Sequence, residues 1–190
     1  GFTGVYPELR LDSEEMLWVW EETSQLDMVV TLDLGSIGSL SYQTQAVKNI
    51  IDQFPQLRIV IAHLAQPPFG TAKNSDTETV WQEQVMLAQH ANLWMDMSAL
   101  PALTAYPTYT AQAALEDTED YPYSTARSYI RRAIELVGAD KIMWGTDAPG
   151  VLQHATYAQL LSFVTRHCDF LSPEQINQII SKTAESVYWK

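Results

Sequence analysis

A single cysteine, Cys168, stands in 190 residues, so no disulfide can form within the chain. That scarcity fits a reducing, cytoplasmic setting. Cations are also scarce: 11 Lys and Arg face 23 Asp and Glu, giving a formal net charge of −12 at pH 7. A surface of that sign repels phosphate backbones and anionic lipid, which argues against a nucleic-acid or membrane-surface role. No apolar run approaches the roughly 18–20 residues that span a bilayer. No basic stretch followed by an apolar one opens the chain, so no signal peptide is visible. Nor is there a short-period repeat or a low-complexity tract.

What is present is ordinary globular material, 46% hydrophobic and 18% charged, enough for one domain over residues 1–190 with a single core. Strand-like and helix-like segments alternate along it. Phe2–Tyr6 reads as a strand. Asp12 with Glu15 three residues later reads as a capping box, opening a helix over 13–25. A strand over 28–33 precedes an amphipathic helix over 44–54, with Val47, Ile50, Ile51 and Phe54 at helical spacing. Strands are expected at 59–62, 93–97 and 142–145. Further helices are expected at 78–90, 124–137, 156–167 and 173–181, the last with Ser172 as cap and Pro173 in its first turn. Such alternation means a parallel sheet under helices. Two architectures fit it: a doubly wound sheet, or about five βα units of a (β/α)8 barrel.

Ionisable residues cluster just past the strand ends. Glu8 follows the first strand, Asp33 ends the second, His63 closes "RIVIAH", Asp96 and Ser98 close "LWMDMS", and Asp147 follows "IMWGT". Both architectures build active sites at that edge. Imidazole and carboxylate together suit a divalent metal such as zinc. Each residue also has a structural reading. Asp33 before Leu-Gly makes a turn, Asp96 serves as a hydrogen-bonded strand residue, and a strand-end histidine is often satisfied by backbone. His154 lies near the same rim, whereas His90 and His167 sit at helix ends. The long loop from Ser98 to about Tyr123 carries Tyr106, Tyr109, Tyr121 and Tyr123, which line a pocket for a planar substrate, pack on a second subunit or cover their own barrel.

"RIVIAHLAQPP", followed some eighty residues later by "KIMWGTDAPG", resembles the amidohydrolase-related family of metal-dependent barrel hydrolases and decarboxylases. "GFTGV" is similar to that family's fourth strand, "NLWMDMSAL" to its seventh and "IISKTAESVYW" to its closing helix, with Thr183-Ala184 where Asn-Ala is usual. The resemblance covers nearly the whole chain. It implies the C-terminal part of a (β/α)8 TIM barrel, strands four to eight. His63 is then a metal ligand or the base beside the metal. Asp147 is a ligand or the acceptor of a proton, and Asp33 is a third candidate ligand. Two features depart from the family pattern: no His-x-His pair precedes these strands, and Asp33 stands where a fifth-strand histidine is expected.

The expectation is therefore a metal-dependent hydrolase with zinc, or else manganese, acting on a small carbonyl or carboxylate substrate. A non-oxidative decarboxylase of the same family is the nearest alternative. A catalytically inactive relative, binding or scaffolding, is another. A barrel of this kind takes about 250 residues, and an open piece exposes strand edges and half a core. Either a longer polypeptide, a homo-oligomer or another chain is expected to supply the missing strands.

Overall fold

The computed structural model describes residues 9–105 and 119–189. The expected strand at Phe2–Tyr6, Glu8, Tyr106 and Tyr109 lie outside the described residues. Within them, four parallel strands form one sheet in the order β1 (Val29–Leu32), β2 (Arg58–Ile61), β3 (Leu93–Asp96) and β4 (Ile142–Met143). Spatial order therefore follows chain order. A doubly wound sheet reverses its order at a switch point, whereas a barrel adds each strand beside the last. The sheet is a barrel segment. Among the described residues, no helix is long and apolar enough to cross a membrane.

The strands alternate. Val30, Leu32, Ile59, Ile61, Leu93, Met95 and Ile142 belong to the main core. That core also takes the apolar stripes of α1 (Glu14–Gln25), α2 (Thr44–Gln53), α3 (Ser75–Met86) and α5 (Ser124–Val137). Trp20, Val47, Ile50, Trp81, Val85, Tyr129 and Ile130 are all buried there. A short helix, α4 (Leu100–Ala105), follows β3 inside the stretch expected to be loop. The chain then turns into α6 (Tyr157–Ser162), α7 (Pro173–Asn177) and α8 (Thr183–Tyr188). A wider π-helical turn, Gln178–Lys182, joins the last two.

The opposite sheet face carries Val29, Val60, Trp94 and Met143, and α8 lies against it: Val60, Met143 and Val187 form a second buried cluster with Ala184. Arg58, on the same face, donates through its guanidinium to the carbonyls of Val187 and Asp27. The edge of β4 is covered as well. Met143 O takes the N–H of Met97 on the β3 side, and Trp144 N–H points the other way, to Ile179 O at 2.8 Å. The half-core expected to lie open is thus covered in part by the chain's own last helices, while Thr31 on the same face stays exposed.

Helix starts differ from expectation at two places. Asp12 is not a cap: its carboxylate pairs with Arg10 at 2.9 Å and accepts from Asn49 Nδ2 at 2.7 Å, leaving Ser13 at the N-cap position without a side-chain cap bond. Helix α3 begins at Ser75, earlier than its apolar pattern, because Asn74 accepts from the backbone N–H groups of Asp76 and Thr77. At Ser172 the expected cap is present, paired reciprocally with Gln175.

Candidate active site

Strand register brings the candidate residues to one rim. Leu32 pairs with Ile61, Ile61 with Met95, and Asp96 with Met143. Asp33, His63, Ser98 and Asp147 therefore leave the sheet at the same end.

Strand alternation carries Ile59 and Ile61 into the helix-side core and would send residue 63 after them. The backbone prevents it. His63, Leu64, Ala65 and Gln66 all have positive φ, at 58°, 51°, 57° and 45°. Left-handed backbone costs an L-residue about 1–2 kcal/mol, and four consecutive non-glycine residues in it form a strained turn. Its outer groups are held. Tyr42 Oη donates to Ala65 O at 3.1 Å, Trp81 Nε1 donates to Leu64 O at 2.9 Å, and the N–H of His63 reaches Asp96 Oδ1 at 3.1 Å. Burial pushes the Tyr42 phenol well above its ordinary range, so it remains a donor. Leu64 and Ala65 fill the core while the imidazole turns to the rim.

There His63 Nδ1 lies 2.8 Å from Ser98 Oγ. Ser98 in turn donates both its hydroxyl and its backbone N–H to Asp96 Oδ1. The other ring nitrogen, Nε2, lies 3.9 Å from Asp33 Oδ2, with the imidazole 15% and the carboxylate 40% exposed. Asp33 is itself oriented: its Oδ1 accepts from Gly35 N–H and from Gln66 Nε2, each at 3.0 Å. Asp33 thus makes the turn expected of it and also faces the histidine. Asp147 stands exposed just past β4 at φ 64°. Among the described residues it joins neither His63 nor Asp33 in a hydrogen bond or ion pair.

Among the described residues no group of three or more His, Cys, Asp or Glu side chains is gathered to hold a metal ion. The His63–Asp33 pair offers one nitrogen and one oxygen donor, chemically suited to zinc, which takes three protein ligands in catalytic sites. The donor set fits part of such a site, with Asp147 on the adjoining strand exit.

Sequence reasoning put Asp33, His63, Asp96, Ser98 and Asp147 at strand ends, and the structure has them at that rim, with Asp147 apart from the others. Sequence reasoning missed Gln66, whose amide fixes Asp33, and the two donors Tyr42 and Trp81. The loop aromatics resolve in part: Tyr123 is buried, donates to His154 O at 3.0 Å and packs edge-on against Phe163, so it covers its own barrel.

The amidohydrolase family model matches residues 5–189. The chain belongs to the amidohydrolase family. Among curated proteins, an L-fucono-1,5-lactonase from Burkholderia ambifaria is 27% identical over 143 residues, 72% of this chain and 43% of the lactonase. Among solved structures, an amidohydrolase from Burkholderia multivorans with bound zinc superposes with a TM-score of 0.73 at 18% identity, over 95% of this chain and 60% of that one. A dihydroxybenzoic acid decarboxylase from a Polaromonas species, with bound manganese and an inhibitor, gives 0.60 at 14% identity, over 94% and 55%. The chain therefore spans about half the length of these amidohydrolase relatives, and its parallel sheet is part of their TIM barrel.

Proposed function

We propose that this amidohydrolase chain carries the C-terminal half of a metal-dependent hydrolase site that opens a small lactone. The observation that carries the reading is the His63–Asp33 pair, with Nε2 and a carboxylate oxygen 3.9 Å apart at the strand-end rim. The lactone is supported by the 27% identity to the L-fucono-1,5-lactonase. A bound divalent ion would supply a Lewis acid for the ester carbonyl and a water made acidic near neutral pH.

The chain's own residues do the rest. His63 Nε2 and Asp33 Oδ2 would hold the ion, zinc by donor type, with residues beyond those described completing the set. Asp147, exposed on the next strand exit, would take the proton released when water attacks the carbonyl carbon. The ring oxygen leaves with a proton, giving a hydroxy acid. A strongly anionic protein keeps nucleic acid and lipid surfaces away, so the partner is a small molecule.

Zinc titration by calorimetry and proton release from aldonolactones test this directly. About one zinc per chain, weakened in His63→Ala, and lactone opening that stops with chelator are expected. A full-length protein that takes no zinc sinks the reading in favour of a non-catalytic binding relative. Carbon dioxide release from aromatic acids in place of lactone opening would make it a decarboxylase.

A further inference from the structure

We infer that Asp96 and Ser98 are positioning residues that lock His63 in the tautomer protonated at Nδ1, so that Nε2 presents a bare lone pair beside Asp33. The inference rests on the role proposed above for His63 and adds how that role is prepared. It follows from counting protons. Asp96 Oδ1 receives the backbone N–H of His63 at 3.1 Å, the backbone N–H of Ser98 at 3.0 Å and the Ser98 hydroxyl. A carboxylate oxygen taking three donors has no proton to give. The single hydroxyl proton of Ser98 is therefore committed to Asp96. Toward the imidazole, Ser98 Oγ can then only accept, so the nitrogen 2.8 Å away must carry a hydrogen. A neutral imidazole has one N–H, and Nε2 is left without it.

The consequence is chemical. A free histidine side chain favours the opposite tautomer, with the proton on Nε2, and that nitrogen can neither bind a cation nor accept a proton. Outer hydrogen bonds that fix a ligand imidazole this way strengthen its binding. One Asp96 oxygen here anchors the backbone of the histidine and both donors of the serine, so ring and partner share a single reference atom. Gly145 stands against the serine: a Cβ added there would lie 3.1 Å from Ser98 Cβ, so a larger residue at that position would press on Ser98.

Nitrogen-15 spectra of the metal-free chain, labelled at histidine and recorded at roughly pH 9 where imidazole is neutral, read the tautomer directly. His63 is identified by the signals lost in His63→Asn. A protonated Nδ1 and a bare Nε2 are expected in the native protein. In Ser98→Ala, with the fold checked by circular dichroism, the proton should move mainly to Nε2, and zinc affinity should fall about 10–100-fold. A native His63 protonated at Nε2, or averaging between tautomers, overturns the inference even if no variant folds. So does an Ser98→Ala spectrum unchanged from the native one. A chain with Nδ1 protonated whose full-length protein still takes no zinc keeps this inference and overturns the function proposed above.

Discussion

His63 spends conformational strain to leave its strand, and the residues around it are chosen to make that exit useful. Its neighbour Gly145 shows how little slack remains. An added Cβ would meet Ser98 Cβ at 3.1 Å and Asp96 Oδ1 at 3.8 Å. Gly145→Ala should destabilise the fold by about 1–3 kcal/mol, as overpacking does, and lower zinc affinity by tilting Ser98; urea unfolding and calorimetry measure the two. Of these residues the sequence showed the strand-end set plainly, because an apolar run that stops on an ionisable group is visible by eye. Gln66 was invisible for a physical reason. It reaches Asp33 only because three left-handed residues precede it, and no alternation rule follows a backbone through such a turn.

The elements that matter most to the site are those that pin this turn from behind. Tyr42, just before α2, and Trp81, within α3, each donate one hydrogen bond to its carbonyls. Removing the phenol in Tyr42→Phe should cost about 1 kcal/mol, seen as a lower urea midpoint, and loosen zinc binding severalfold with it. Element order was legible in most of the described residues, since helical and strand periods differ sharply, but α4 (Leu100–Ala105) fell in a stretch read as loop. The ends were less so. Asn74 starts α3 by a side-chain bond to two N–H groups, a signal that apolar spacing does not carry. Asp12 had the right spacing for a cap, but Arg10 and Asn49 compete for the same carboxylate and win it.

At the scale of the molecule, the two faces of the sheet are covered by different means and to different extents. One is packed by α1, α2, α3 and α5, the other by α8 through Val187 and Ala184. The family resemblance of the tail implied a closing helix, but neither it nor periodicity says which face of which sheet that helix covers. Val187→Asp puts an unpaired charge in the second cluster and should cost about 3 kcal/mol or more. Increased binding of a hydrophobic dye and a lower melting temperature are the expected readouts.

Arg58 closes that face by a bond to Val187, which lies 129 residues later in the chain. A ribosome adding about 5–20 residues per second delivers the first partner many seconds before the second. For that interval Val60 lacks the Val187 contact that buries it in the finished fold. That face of the sheet is therefore completed only after Val187 has been made, long after the strand it covers.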